Sequence, residues 1–258
     1  MNKWIRKEKN GYLLMSLLIV LIFAQLYYFT GSSQLVFKNV FLYFFKGVPF
    51  FDEGTSFLME FPWYWFGIQI FLFYRIALNL DFTHNRIEQF LVREKRKDFY
   101  KRQVQQILFL NISYFLLVLF LILLLGILFK IPFYGDHLEI DYLFNKIPLE
   151  VSRTVPMLIL SSMSLLVTNI TLSLALLVFY IILNGVGAFL LVMVYYILSF
   201  FIANPLFLSN FVMLGRTLQR QYGVTPESGM ILGIVVFIIL YKVGLRALES
   251  KDILQDRI

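Results

Sequence analysis

The side chains of this sequence able to do chemistry are few, and most stand alone. His84 and His137 are the two imidazoles; Ser161, Ser162, Ser164 and Ser173 are hydroxyls in apolar surroundings; Arg75 and Lys242 are cations inside apolar runs. A metal site needs several converging ligands. The two histidines lie far apart in polar segments and there is no cysteine, so no thiolate zinc site, disulfide framework or cysteine nucleophile is expected. The serines have no base near them in sequence, and helix packing or bonding back to a carbonyl accounts for them better than catalysis. Arg75 and Lys242 can line a polar path or can snorkel to headgroups; snorkelling is the preferred reading.

The richest chemistry lies in residues 81–106. Ile87, Phe90 and Leu91 stand at helical spacing with Arg86, Glu88, Gln89 and Arg93 around them. The run Arg93-Glu94-Lys95-Arg96-Lys97-Asp98 follows, then Phe99-Tyr100. Such a segment fits an amphipathic helix on an anionic membrane surface. It fits equally a docking element for a soluble partner, with an apolar patch for affinity and charges for orientation. A short basic loop of this kind is a poor groove reader, so no nucleic-acid partner is expected.

These residues must be positioned by a membrane scaffold. Of 258 residues 59% are hydrophobic and 15% charged, against roughly 45–50% and 25% in soluble domains. Even a large soluble domain buries only about three quarters of its unfolded surface, so lipid must cover the rest. A spanning helix needs about 20 mostly apolar residues. Runs of this kind lie at 12–29, 63–80 and 107–129. The first follows a basic segment but no small-residue cleavage site succeeds it, which predicts an uncleaved span. From Thr154 to Gly215 the sequence carries no charge. Its lipophilic part, 157–203, would extend about 70 Å as one helix at ~1.5 Å per residue. It is therefore read as two spans, 157–180 and 185–203, reversing at Asn184-Gly185. The last span is 230–248.

The expected fold is thus all-α, a single polytopic domain over 1–258 with six transmembrane helices. Six spans put both termini on one side. Sixteen of the 23 Lys and Arg residues, including Lys3, Arg6, Lys7, Lys9 and the cluster from Arg86 to Arg102, fall on that side. The positive-inside rule makes it cytoplasmic. Trp63 and Trp65, opening the second span after Pro62, are of the kind that sits at a membrane interface. Residues 34–61 and 204–229 are too interrupted to span; they read as interfacial, partly re-entrant pieces, the second with an amphipathic stretch over 207–218.

The six predicted spans contain no Asp, Glu or His. That argues against membrane metalloproteases and against ion-coupled carriers, which need a carboxylate at mid-depth. No phosphate-cradling Gly-rich loop occurs, so this chain is not expected to bind ATP or to be an enzyme by itself. Asn111-Ile112-Ser113 and Asn169-Ile170-Thr171 match the glycosylation pattern inside spans, where they cannot be acceptors. Gly229-x-x-x-Gly233 matches the small-residue packing motif, a pattern that also arises by chance.

Phe61-Pro62-Trp63-Tyr64-Trp65, Gln89-Phe90-Leu91-Val92-Arg93 ahead of a basic run, and Lys251-Asp252-Ile253-Leu254 resemble the permease subunits of ABC exporters. The closer likeness is to permeases of lantibiotic and bacteriocin immunity or peptide export. The resemblance implies a bacterial plasma-membrane, multi-pass protein working with a separate ABC ATPase, which binds the ATP and Mg; this chain itself would hold no cofactor or metal. It also implies a second permease copy or paralogue and a peptide or lipid-like substrate. The loop between the second and third spans would carry a coupling helix that seats on the ATPase. Ile87, Phe90 and Leu91 would be its apolar contact, and Arg86, Glu88, Arg93, Lys95, Arg96 and Lys97 would orient it. Residues 204–229 would form part of an extracellular gate. The alternative is a stand-alone membrane immunity or scaffold protein that binds a toxin without an ATPase.

Overall fold

The computed structural model describes residues 2–30, 35–47, 63–80, 95–133, 155–183 and 185–250. Among them every regular element is a helix. In chain order these are α1 (Asn2–Thr30), α2 (Phe37–Phe45), α3 (Trp63–Asn79), α4 (Arg96–Leu128), α5 (Val155–Ile182) and α6 (Gly185–Phe201). A 3-10 helix (Leu208–Val212), α7 (Leu214–Gln219) and α8 (Pro226–Ser250) complete the fold.

Each predicted span falls on one helix, but not all are equal. Among the described residues four segments are long and apolar enough to cross a membrane: Glu8–Tyr28, Arg96–Leu128, Pro156–Ile182 and Pro226–Ser250. α3 and α6 have 17 residues each and reach about 26 Å, short of the ~30 Å hydrocarbon core. The long uncharged run does divide: α5 ends at Ile182, α6 begins at Gly185, and the two pack together.

α4 begins earlier than its apolar run. It has 33 residues, about 50 Å of helix, and the end of the basic run forms its first turn. Asp98 in that turn complements the positive end of the helix. No Gly or Pro interrupts the helix before Gly126, and Phe99, Gln103, Ile107, Leu110, Tyr114, Val118, Ile122 and Leu125 form one buried stripe at steps of three and four.

α5 is the most enclosed of the long helices and touches α3, α4, α6, α7, α8 and the 3-10 helix. Its longest contact is with α8, where the small-residue motif proves structural. A Cβ on Gly229 would run into Ser164 Oγ and stand 2.7 Å from Phe211, and one on Gly233 would stand 2.9 Å from Val167. The close approach lets Thr171 Oγ1 donate to the Gly233 carbonyl at 3.0 Å. On the other side of the bundle α1 packs on α4 and α3.

Of the two pieces expected at the membrane interface, residues 48–61 lie outside the described residues, and the helical parts of the rest are buried in protein. Asn39–Phe45 of α2 is buried without a break, and so is every residue from Leu208 to Leu218. An apolar helix covered on all sides needs protein around it rather than a lipid–water boundary. The pieces meet each other: Gly215 N–H donates to the Lys46 carbonyl at 2.9 Å. Gly47 turns the chain at φ +70°, and a Cβ there would fall 2.5 Å from Met213.

Candidate functional site

The most concentrated polar site lies where α1, α3 and α4 converge, and it is built on a carboxylate. Because α1 is helical from Asn2, Glu8 belongs to the first membrane-crossing segment and is 1% exposed. Arg75 of α3 holds it with a side-on fork, Nη2 to Oε1 at 2.9 Å and Nε to Oε2 at 3.1 Å. Tyr114 of α4 donates its hydroxyl to Oε2 at 2.8 Å. Asn79, the last residue of α3, donates through Nδ2 to Oε1 and to the Arg75 carbonyl, the latter at 2.8 Å. Each carboxylate oxygen thus takes two donors, which fills the acceptor capacity of an ionised glutamate.

The shape of α1 permits this. Gly11 stands one turn beyond Glu8, and a Cβ there would press on Tyr114 Oη while lying 2.6 Å from Glu8 Oε2 and 2.8 Å from Arg75 Nε. Around the ion pair the network widens. Tyr12 and Ser113 share a hydrogen bond of 2.8 Å, Gln106 Nε2 donates to the Asn79 carbonyl at 3.3 Å, and Asn111 Nδ2 donates to Ser173 Oγ of α5 at 3.0 Å.

This site corrects one expectation and extends the reading of α1. Arg75 does not snorkel: it is turned inward onto Glu8, since a neutralising partner in low dielectric outweighs a stretched path to headgroups. The predicted spans themselves hold no acid, but α1 starts ahead of its apolar run, and Glu8, the first residue of the Glu8–Tyr28 segment, is enclosed by the neighbouring helices. The signal was present, as Glu8 is the sole acid before Asp52 and stands one turn ahead of the apolar run.

The same site fixes one end of the α3–α4 connection. The other end is fixed by Arg96, whose Nη1 donates to the carbonyls of Glu249 at 2.6 Å and Leu248 at 3.3 Å. These are terminal carbonyls of α8, the groups a helix leaves without an internal partner. Tyr100, one turn further along α4, packs its ring 5.3 Å from that of Tyr241 in α8. Of the residues expected to contact an ATPase, Lys95, at the N-cap of α4, and Lys97 are exposed, and Arg96 is drawn to α8. Arg86, Ile87, Glu88, Phe90, Leu91 and Arg93 lie outside the described residues, as do His84 and His137.

A second buried cation has a different purpose. Arg216 of α7 is 1% exposed and sits at the end of α6. It donates to the carbonyls of Ser199 at 2.6 Å and Phe200 at 2.8 Å, and to Asn210 Oδ1. Asn210 Nδ2 reaches the carbonyls of Ile202 at 2.9 Å and Asn204 at 2.8 Å. Together they cap α6 from inside the protein. Burial pushes the guanidinium down from its ordinary range to about 10, so it stays charged at neutral pH, facing the negative end of a helix.

Trp63 opens α3, but Trp65 does not face a membrane interface. It is wholly covered, stacked 5.5 Å from Tyr196 and tilted against Phe200 of α6 at 5.9 Å. Ser162 bonds back to the Leu158 carbonyl at 2.7 Å and Ser173 to that of Asn169 at 2.7 Å, as packing serines do. Among the described residues no three His, Cys, Asp or Glu side chains converge. No protein-family model, no curated protein and no solved structure matches the chain.

Proposed function

We propose that this chain is the transmembrane permease subunit of an ATP-driven exporter of the ABC type, carrying a hydrophobic or amphipathic peptide, or a lipid-like molecule, outward across a bacterial plasma membrane. It would cross six times with both termini cytoplasmic and work with a separate ATPase, which binds ATP and Mg, and with a second permease copy or paralogue.

The observation that carries this reading is the rooting of the α3–α4 connection. Its first end is tied to α1 and α4 through Asn79, Glu8 and Gln106, and its second to α8 through Arg96. Helices tied in this way at both borders of the connection can pass a push from a docked partner into the bundle. The charge pattern supports the same side for the partner, since the connection carries a dense basic cluster. Glu8 does not favour an ion-coupled carrier: it lies at the end of its span, and four donors already occupy its oxygens.

The test is purification of the complex from its native membrane. An ATPase chain should accompany this protein, and replacing Phe90 and Leu91 by glutamates should remove it while the protein still inserts. Unchanged association in that double variant would sink the docking assignment, and purification without any ATPase would sink the exporter reading.

A further inference from the structure

The ends of the α3–α4 connection are tied to different helices, and the tie at the α3 end has no slack. Glu8 receives its four hydrogen bonds from α3 and α4 at once, two from Arg75, one from Asn79 and one from Tyr114. Gly11 lets the α1 backbone approach, since a Cβ there would force Tyr114, Glu8 or Arg75 to shift. Sliding α3 along α1 would leave a carboxylate and a guanidinium apart in a low-dielectric interior, the costliest outcome a buried pair can meet. The tie at the α4 end is of another kind, made by one arginine on two backbone carbonyls at a partly exposed helix end.

We infer that Glu8 is a positioning residue in transport: it makes α1, the end of α3 and the middle of α4 move as one body when the α3–α4 connection is displaced. In this arrangement α1, not only the helices flanking the connection, receives the displacement. The inference rests on the permease reading above for the source of the push, while the joint itself can be tested without it.

The chain contains no cysteine, so spin labels can be placed on Leu17 of α1 and Leu78 of α3, both exposed side chains. The label-to-label distance is measured by double electron–electron resonance on the full chain with its ATPase in nanodiscs, nucleotide-free and trapped with ATP and vanadate. With Glu8 present the distance should be the same in both states. In Glu8→Gln, which keeps the shape but loses the charge, the distribution should widen and differ between the states. Glu8→Asp should recover part of the native behaviour. Should Glu8→Gln fail to fold, Tyr114→Phe removes a single donor and should widen the distribution to a smaller extent.

A wild-type α1–α3 distance that changes on trapping, or variants whose distributions match wild type, would overturn the joint. If no ATPase accompanies the chain, the permease reading fails. The comparison of wild type with Glu8→Gln in the chain alone still decides the joint, because widening supports it and identity refutes it.

Discussion

Gly11 of α1 and Arg75 of α3 approach so closely that a Cβ on the glycine would stand 2.8 Å from Nε of the arginine. Gly11 and Arg75 stand 64 positions apart in sequence, and a side chain on the glycine would press on the ion pair between their helices. Gly11→Ala should therefore lower the thermal stability of the detergent-solubilised protein. In an ordinary helix position the same change would stabilise by about 0.5–1 kcal/mol. A melting temperature equal to or above wild type would show that the ion pair yields without cost.

The α5–α8 seam allows a compensating pair. The nearest obstacle to a side chain at position 229 is Ser164 Oγ, followed by Phe211 at 2.7 Å. Gly229→Ala should destabilise, by about 1–3 kcal/mol if it behaves as ordinary overpacking. Adding Ser164→Ala should recover part of the loss. Strict additivity of the two single effects in a double-mutant cycle would contradict the contact.

Arg216 gives a test of charge and shape together. Arg216→Leu abandons the carbonyls of Ser199 and Phe200, and each stranded polar group costs about 1–3 kcal/mol. Arg216→Lys keeps the charge but not the planar fork, so it should rescue only part of the stability. Burial lowers the arginine to about 10 in the folded chain, below the ordinary guanidinium range. From about pH 10 up to that range the unfolded chain thus holds more protons, and the sign of the linkage makes this group favour folding as pH rises through that window. Below it, between pH 6 and 9, wild type and Arg216→Leu should show the same pH slope of thermal stability. A slope difference there would mean that Arg216 titrates lower than its surroundings dictate.

Trp65 is fully covered and stacked on Tyr196. Trp65→Ala should cost about 3–5 kcal/mol. Trp65→Phe keeps most of the packing and should remove the most blue-shifted part of the tryptophan emission. If the emission maximum stays in place after that change, Trp65 is not in the dry environment that its burial implies.

Helix positions were legible from the sequence because a backbone in hydrocarbon must satisfy its own hydrogen bonds, so long apolar runs leave few options. The length of the run 157–203 forced a division, and α5 ends at Ile182 with α6 beginning at Gly185. The start of α4 was less legible: an apolar run marks what lipid must cover, whereas a helix continues as long as nothing breaks it. This is why Arg96 and Lys97 are helical and why α1 includes Glu8, ahead of the apolar run 12–29.

What sequence by itself determined, then, is the membrane character, the approximate place of each long helix and the concentration of positive charge around the α3–α4 connection. Only the tertiary structure decided the partners: Glu8 with Arg75, Arg96 with the end of α8, Arg216 with the end of α6, and α2 with α7. The reason is physical. Lipid and protein interior are equally apolar, so hydropathy cannot tell a helix face that meets lipid from one that meets another helix. Phe41 and Phe211, buried in protein, therefore read like Phe120 and Phe201, which are not. Likewise, a charge inside an apolar run demands a partner, but only the packing of helices selects which one.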